Sequence, residues 1–412
     1  MIIADLHIHS RYARGCSKDI TIANLEKYAR IKGINLLGSA DFQHPRWFEE
    51  IANSLKEDDN GILWSKTGFP FLWQTEISLI YTQNGKGQRV HYLVFAPNKE
   101  TAKQVIDVLG KKGRLDYDGR PIFGFTSVEF IDLMKGISGD IEIIPAHIWT
   151  PHFSLMGEYN RLLRAEECFE ENVKHIHALE TGMSSNPADN WRVGNLDKFQ
   201  LVSFSDSHSY WPWRLGREGT VFDFKELSYK NFLKAVRTGE GLKNTLETPT
   251  HYGKYHFSGH RNCNVVVSPN ESKKLNRNCP KCGGKLTIGV ADRIEQLAER
   301  EEGYKRENYK PFVSLVPLHE VIAAVYGLKQ LNGKKVWEVY NLLIKEFGNE
   351  FNILLNVNEN DLKKIVDERI ARVIIKNRGG GLGVKPGYDG VYGEIVLDED
   401  ERIKSQRRLG EF

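Results

Sequence analysis

Short apolar runs recur through the first 245 residues, and the segments between them carry apolar positions at helical spacing. Residues 1–6, 36–40, 71–75, 141–146 and 201–205 each read as a short buried strand. Residues 21–33 read as an amphipathic helix, with Thr21 as its N-cap and Gly33 as its stop. Strands at 71–80 and 89–96, joined through Asn84-Gly85-Lys86-Gly87, predict a hairpin-like pair. The repeated strand–helix alternation predicts a parallel sheet or barrel. A break falls at Thr248-Pro249-Thr250, and residues 251–290 hold so few apolar positions that a hydrophobic core is not expected to hold them. From Ala291 the periodicity is helical, over 291–302, 318–327, 336–348 and 360–377, followed by a glycine-dense loop at 379–390. That loop lacks the strand-before, helix-after setting of a nucleotide-binding turn. Three units follow: 1–248, 249–290 and 291–412.

The strand ends carry the chemistry. The first run ends in His7 and His9, the second reaches Asp41 and His44, the third ends in Glu76, the fourth in His147, and the fifth in Asp206 and His208. Residues two apart on a strand share a face, so His7 and His9 can grip one ion together. Imidazole and carboxylate without thiolate suit zinc, manganese or iron in a hydrolytic site. His7, His9, Glu76 and Asp206 could hold one ion, while Glu76, His91 and His147 could hold a second, with Glu76 bridging; His44 and His208 would belong to a third. Glu76, His147 and Asp206 are the candidate catalytic residues. Ligands at the C-terminal ends of strands favour a barrel with its site at that mouth. His91 also reads as a core strand residue. Glu180 stands either behind a ligand or as one, and His175 and His177 belong to their strand rather than to a metal.

Composition narrows the setting. Of 412 residues, 40% are hydrophobic and 27% charged, and no apolar run approaches the length of a membrane span. No basic-then-apolar leader precedes Ile2, so an intracellular location, cytoplasmic and nucleoid-associated, is expected rather than secretion. Five cysteines are too few for a disulfide framework, and three of them fall in one window. There His260 and Cys263 precede Cys279 and Cys282 in a His-x2-Cys…Cys-x2-Cys arrangement, which predicts a closed structural zinc site, with His256 as rival to His260. Net charge is only +3, but residues 251–290 carry +6, and residues 371–388 hold four cations and no acid. Such patches fit a polyanionic partner, or simply a solvated surface.

Asp5-Leu6-His7-Ile8-His9-Ser10 and Asp206-Ser207-His208 resemble the first and last motifs of the polymerase-and-histidinol-phosphatase (PHP) family of metal-dependent phosphoesterases. The resemblance implies an α/β fold, a distorted (β/α)7 barrel with up to three metals. It departs at the family's second motif, where Asp-His is replaced by Asp41-Phe42 and the nearest histidine is His44. The barrel motifs, the His/Cys module and the helical tail together are more specific. With the stretches 144–151, 179–185 and 385–393, they resemble the archaeal endonuclease Q family over nearly the whole chain.

That resemblance implies a lesion-specific DNA endonuclease using metal-activated water. It would nick 5′ of uracil, hypoxanthine, xanthine or an abasic site and leave 3′-hydroxyl and 5′-phosphate ends. Its partners would be double- and single-stranded DNA containing deaminated bases. Its cofactors would be one structural Zn2+ and two or three catalytic Zn2+, with Mg2+ or Mn2+ as alternatives at the catalytic site. Trp149 and Phe153 are candidates for stacking beside an extruded nucleotide, or for packing the barrel; Lys385 and Tyr388 are candidates for DNA contact. Rival readings are a small-phosphomonoester phosphatase, a 3′-5′ exonuclease and a non-enzymatic DNA-binding protein. Gln406, Leu409 and Phe412 resemble the motif by which repair enzymes dock on a sliding clamp, against the alternative of a disordered basic tail.

Overall fold

The computed structural model describes residues 1–403. Seven strands carry or precede the site: β1 (Ile2–Asp5), β2 (Leu36–Gly38), β3 (Pro70–Gln83), β4 (Lys86–Ala96), β5 (Glu142–Pro145), β6 (Ala178–Glu180) and β7 (Gln200–Val202). β1, β2 and β3 pair in parallel. The parallel order then ends: β3–β4 is antiparallel, as the expected hairpin-like pair requires, and β4–β5 is antiparallel as well, so the sheet is mixed. The cause is local: Asn84 and Gly85 take positive φ (50° and 73°), the two-residue turn that reverses a strand onto itself. β6 and β7 pair in parallel. Among the described residues no ladder joins β5 to β6; one bond, Ile148 N–H to Glu180 O (3.1 Å), spans that gap. Beyond β7, Ser207 exchanges bonds with the end of β1: His9 N–H donates to Ser207 O (3.1 Å) and Ser207 N–H to His7 O (3.2 Å).

Strand alternation divides the apolar residues between two cores. Leu36, Leu72, Leu93 and Ile144 enter one, closed by Tyr229, Phe232 and Val236 of the helix Tyr229–Thr238. Their neighbours Leu37, Trp73, Tyr92 and Ile143 enter the other, under the helices Pro45–Ser54, Lys99–Gly110 and Ser127–Ile137. On the far side of β1 the sheet continues through β8 (Gly219–Phe222), β9 (Leu242–Glu247) and β10 (Phe312–Ser314). β10 pairs in parallel with β9, so a segment from beyond position 291 completes the sheet of the first unit.

The middle unit has a small core after all, formed by Val265, Val267, Cys279, Leu286 and Ile288 around the hairpin Ser258–His260/Val265–Val267. The last unit packs helices Leu318–Val325, Lys334–Phe347, Glu350–Leu355, Glu359–Ile365 and Glu368–Arg378 around Val321, Tyr340, Leu343 and Ile374. The single helix expected at 360–377 is two, because Asp367 accepts Arg369 N–H and caps a new start. The glycine-dense stretch closes as the hairpin Gly383–Lys385/Glu394–Val396 and lies on the middle unit through Gly387 N–H to His251 O and Phe257 N–H to Gly387 O. A buried pair, Lys32 Nζ to Glu350 at 2.6 Å, ties the helical unit to the first. Among the described residues no helix is long and apolar enough to cross a membrane. The clamp-like tail, residues 406–412, lies outside the described residues.

Candidate metal centre

The sharp turns after the strands aim the candidate ligands at one point. His147 (φ 33°) and Asp206 (φ 48°) take the left-handed conformation that non-glycine residues avoid, a local strain the fold must hold in place. Gly182 makes room behind His147, since a Cβ there would stand 2.6 Å from the histidine's own Cβ.

The donor atoms of His7, His9, Glu76 and Asp206 lie within 4.8 Å of one another, as do those of Glu76, His91 and His147. Glu76 is therefore common to both groups: Oε2 is 3.2 Å from His9 Nε2, and Oε1 is 2.9 Å from His91 Nδ1 and 3.4 Å from His147 Nε2. The histidine rings are held from behind. His7 Nδ1 bonds Glu180 Oε1 (2.9 Å), His9 Nδ1 bonds Asp41 Oδ1 (3.0 Å), and Glu180 also accepts His147 N–H (2.7 Å). A carboxylate behind an imidazole fixes the tautomer that presents Nε2 forward. Asp5 does not join the cluster; it accepts Ser205 N–H, Ser205 Oγ–H and Gly216 N–H, clamping β1 to the chain beyond β7.

Electrostatics favour a cationic guest. Burial alone would push Glu76 up, but His91, Arg120 and His7 outweigh it and hold its carboxyl well below the usual range. Burial likewise opposes ionisation of Asp206, and His208, His7 and His9 reverse it. Burial pulls His91 down to about 4, so its imidazole is neutral, the form that ligates. His7 Nε2 and Glu76 Oε1 are buried without a hydrogen-bond partner among the described residues. Orphaned donors of that kind fit a metal ion, and the nitrogen–oxygen set fits zinc, manganese or iron.

The remaining expected residues divide. His208 lies beside the cluster, its ring 4.7 Å from that of His9, with Nδ1–H donating to Asp206 O (2.9 Å), but it is in neither converging group. His44 does not converge either; its ring stacks on Tyr12 at 4.2 Å. His175 ends a turn of 3-10 helix and His177 precedes β6, bonding Glu142, so neither sits on the expected strand. Trp149 belongs to the core, 1% exposed, with Nε1–H on Asn190. Phe153 is half-buried at the mouth, its ring 4.6 Å from that of His91. Tyr388 is buried against Gly259, its hydroxyl on Asn264, while Lys385 is exposed.

Arg120 was not among the expected residues: its Nη1–H donates to Glu76 Oε2 at 3.1 Å. It lies in a polar loop just before the two-residue strand Ile122–Phe123, which is too short to mark it in the chain. A recess of about 630 Å³ opens beside the cluster, between His147, Asp206 and His208 on one side and Arg214, Arg217, Lys254 and Tyr392 on the other.

In the middle unit, His260, Cys263, Cys279 and Cys282 also bring their donor atoms within 4.8 Å of one another. Burial would raise the Cys279 thiol, but the backbone N–H groups of Cys282 and Lys281 bring it down to about 6. A thiolate at neutral pH is what a zinc ligand requires. His256 stands apart, its ring 4.2 Å from that of His251.

Residues 317–381 match the family described as the MJ0043 C-terminal domain. Over 252 residues the chain is 30% identical to the uncharacterized protein MJ0043 of Methanocaldococcus jannaschii, covering 60% of this chain and 31% of that protein. The chain thus spans under one third of that relative's length. Two solved structures match throughout. The lesion-specific endonuclease PfuEndoQ from Pyrococcus furiosus superposes with a TM-score of 0.86 at 29% identity, covering 97% of this chain and 96% of that one. The chain is similar to endonuclease Q along its whole length. Endonuclease Q in complex with a 27-mer duplex carrying an abasic lesion at the active site gives the same TM-score, 0.86, at 29% identity over 99% of both chains.

Proposed function

We propose that this chain is a metal-dependent, lesion-specific DNA endonuclease, and that the two groups sharing Glu76 are its catalytic centre. The observation that carries this reading is one fully buried carboxylate flanked by His7 and His9 on one side and by His91 and His147 on the other, in a chain matching endonuclease Q end to end. We read the seven strands as the distorted (β/α)7 barrel, with the His/Cys group as a structural zinc site. Two ions in the catalytic groups would activate water and neutralise charge on both the attacking and the leaving oxygen. Glu180 and Asp41 orient the imidazoles, and the 31%-exposed Asp206 side chain faces the entering strand.

The finer reading follows the endonuclease Q likeness: a nick 5′ of uracil, hypoxanthine, xanthine or an abasic site, with 3′-hydroxyl and 5′-phosphate products. The recess beside the cluster is wide enough for an extruded nucleotide, which leaves a duplex most cheaply where pairing is already lost. Cleavage of a duplex with one central deoxyuridine, deoxyinosine or abasic site, with and without chelator and then added zinc, manganese or magnesium, tests the proposal. A metal-dependent nick on the 5′ side supports it. Release of phosphate from small phosphomonoesters with no nick would establish the phosphatase reading instead.

A further inference from the structure

The loop between helix Lys99–Gly110 and the short strand Ile122–Phe123 carries no member of either metal group, yet it is fastened to the mouth. Gly119 N–H donates to Tyr12 O (3.1 Å), Gln43 Nε2–H to Gly119 O (2.6 Å) and Ser78 N–H to Pro121 O (3.0 Å). Asp118 Oδ1 accepts Arg14 N–H (3.2 Å) and Arg120 N–H (3.0 Å). A Cβ at Gly119 would stand 2.3 Å from Asp41 Oδ2 and 2.7 Å from Ala13 N, so only glycine allows the loop this close to the carboxylate behind His9.

The approach delivers Arg120 to Glu76. Among the described residues Arg120 is the only cation of arginine or lysine bonded to either metal group, and its side chain makes no hydrogen bond beyond that one. The side chain keeps 24% of its surface exposed. A guanidinium carries five N–H donors in a planar fork, so the bond to Glu76 leaves the others without a protein partner among the described residues. Arg120 is not the sole cationic neighbour of Glu76, because four imidazoles also surround it. A fixed positive charge there also weakens the hold of the shared carboxylate on metal cations, a cost that an incoming anion would reverse.

We propose that Arg120 is a catalytic residue that donates to a non-bridging oxygen of the scissile phosphate; this rests on the phosphodiesterase reading above. In hydrolysis the water oxygen bonds to phosphorus and the bond from phosphorus to the 3′ oxygen breaks. The water proton is lost to solvent or base, and the leaving oxygen is protonated to the 3′-hydroxyl. Negative charge builds on the non-bridging oxygens along the way, where a forked donor is worth most.

The test uses the full chain, as wild type, R120A and R120K, on an abasic duplex. Its scissile phosphate is either natural or one of the two methylphosphonate diastereomers, each of which replaces one non-bridging oxygen. R120A should lower kcat by about 10²–10³-fold, the usual loss for one preorganised oxyanion donor. It should leave bound metal per chain and DNA affinity unchanged. R120K, which keeps the charge but not the fork, should lose at least about tenfold at an unaltered melting temperature. Replacing the oxygen that Arg120 touches should slow the wild type strongly and slow R120A no further. The inference is overturned if kcat is retained in R120A, if R120A loses metal and excess metal restores its rate, or if both diastereomers slow R120A as much as wild type. Absence of any nick by wild type overturns the phosphodiesterase reading itself, a separate failure.

Discussion

The two converging groups were assembled in opposite ways. The carboxylate–imidazole cluster draws on residues from 7 to 206, spread over five stretches of chain, and all but Asp206 are buried in a folded core. The His/Cys group draws on 23 residues of chain, from 260 to 282, with Cys282 exposed and only five buried apolar residues around it. In the first region the fold makes the site; in the second the site would make the fold. Loss of a candidate ligand should therefore cost activity in the first region and structure in the second.

The sharpest break of that contrast is E76Q, which removes the charge shared by both groups. It should lower nicking by about 10³-fold or more, with the melting temperature and DNA affinity retained, since several kcal/mol of charge stabilisation go with the ions. Near-normal cleavage at saturating metal would show that the two groups are not the catalytic centre. Next in size is C279S/C282S, which should release one zinc per chain and make residues 251–290 protease-sensitive while residues 1–248 melt as before. An unchanged zinc content would remove the distinction between the regions.

A smaller effect tests the residues behind the ligands. E180Q and D41N should each weaken metal affinity or activity by about 10–100-fold. No effect on the metal dependence of nicking would make those carboxylates bystanders. The smallest effect concerns the acids beneath the mouth. Burial pushes Glu218 up to about 8 and Glu247 well above its usual value, with Ser203 Oγ–H donating to both. Both are stabilised in the protonated form. Their contribution is full below about pH 4.5, the ordinary glutamate range, and is lost as pH rises through about 8. The melting temperature should fall between about pH 5 and 8, and E218Q should flatten that fall. A parallel curve for E218Q would place the pH dependence elsewhere.

How far the chain could be read follows from the same contrast. The candidate ligands were legible because a buried strand is a short apolar run and the polar residue that interrupts it stands out; His7, His9, His147 and Asp206 follow strand ends, whereas Glu76 lies within the strand Pro70–Gln83 and not at its end. The His/Cys group was legible from spacing alone. The reversal at Asn84-Gly85 was legible too, since that dipeptide is itself a turn signal. Two things were not. His44 was grouped by nearness in sequence to Asp41, but the helix Pro45–Ser54 begins directly after it and its ring stacks on Tyr12. Arg120 reaches the site through a close approach at Gly119, a tertiary contact with no local pattern. Trp149 and Tyr388 show the limit of composition: an aromatic beside a ligand or a glycine run is as ready to fill a core as to meet a base.

The bonds from Asp5 to Ser205 and Gly216, and from His9 to Ser207, set a timetable. The first histidines leave the ribosome at the start of synthesis and their strand can pair early with Leu36–Gly38, but its other edge is not clamped until residue 216 has emerged. At about 5–20 residues per second that is roughly 10–45 s later. Until then the nascent chain displays imidazoles with no carboxylate at Asp206 to complete the first group. The chain would be born unarmed, and the candidate metal centre would be among the last features of the sheet to form.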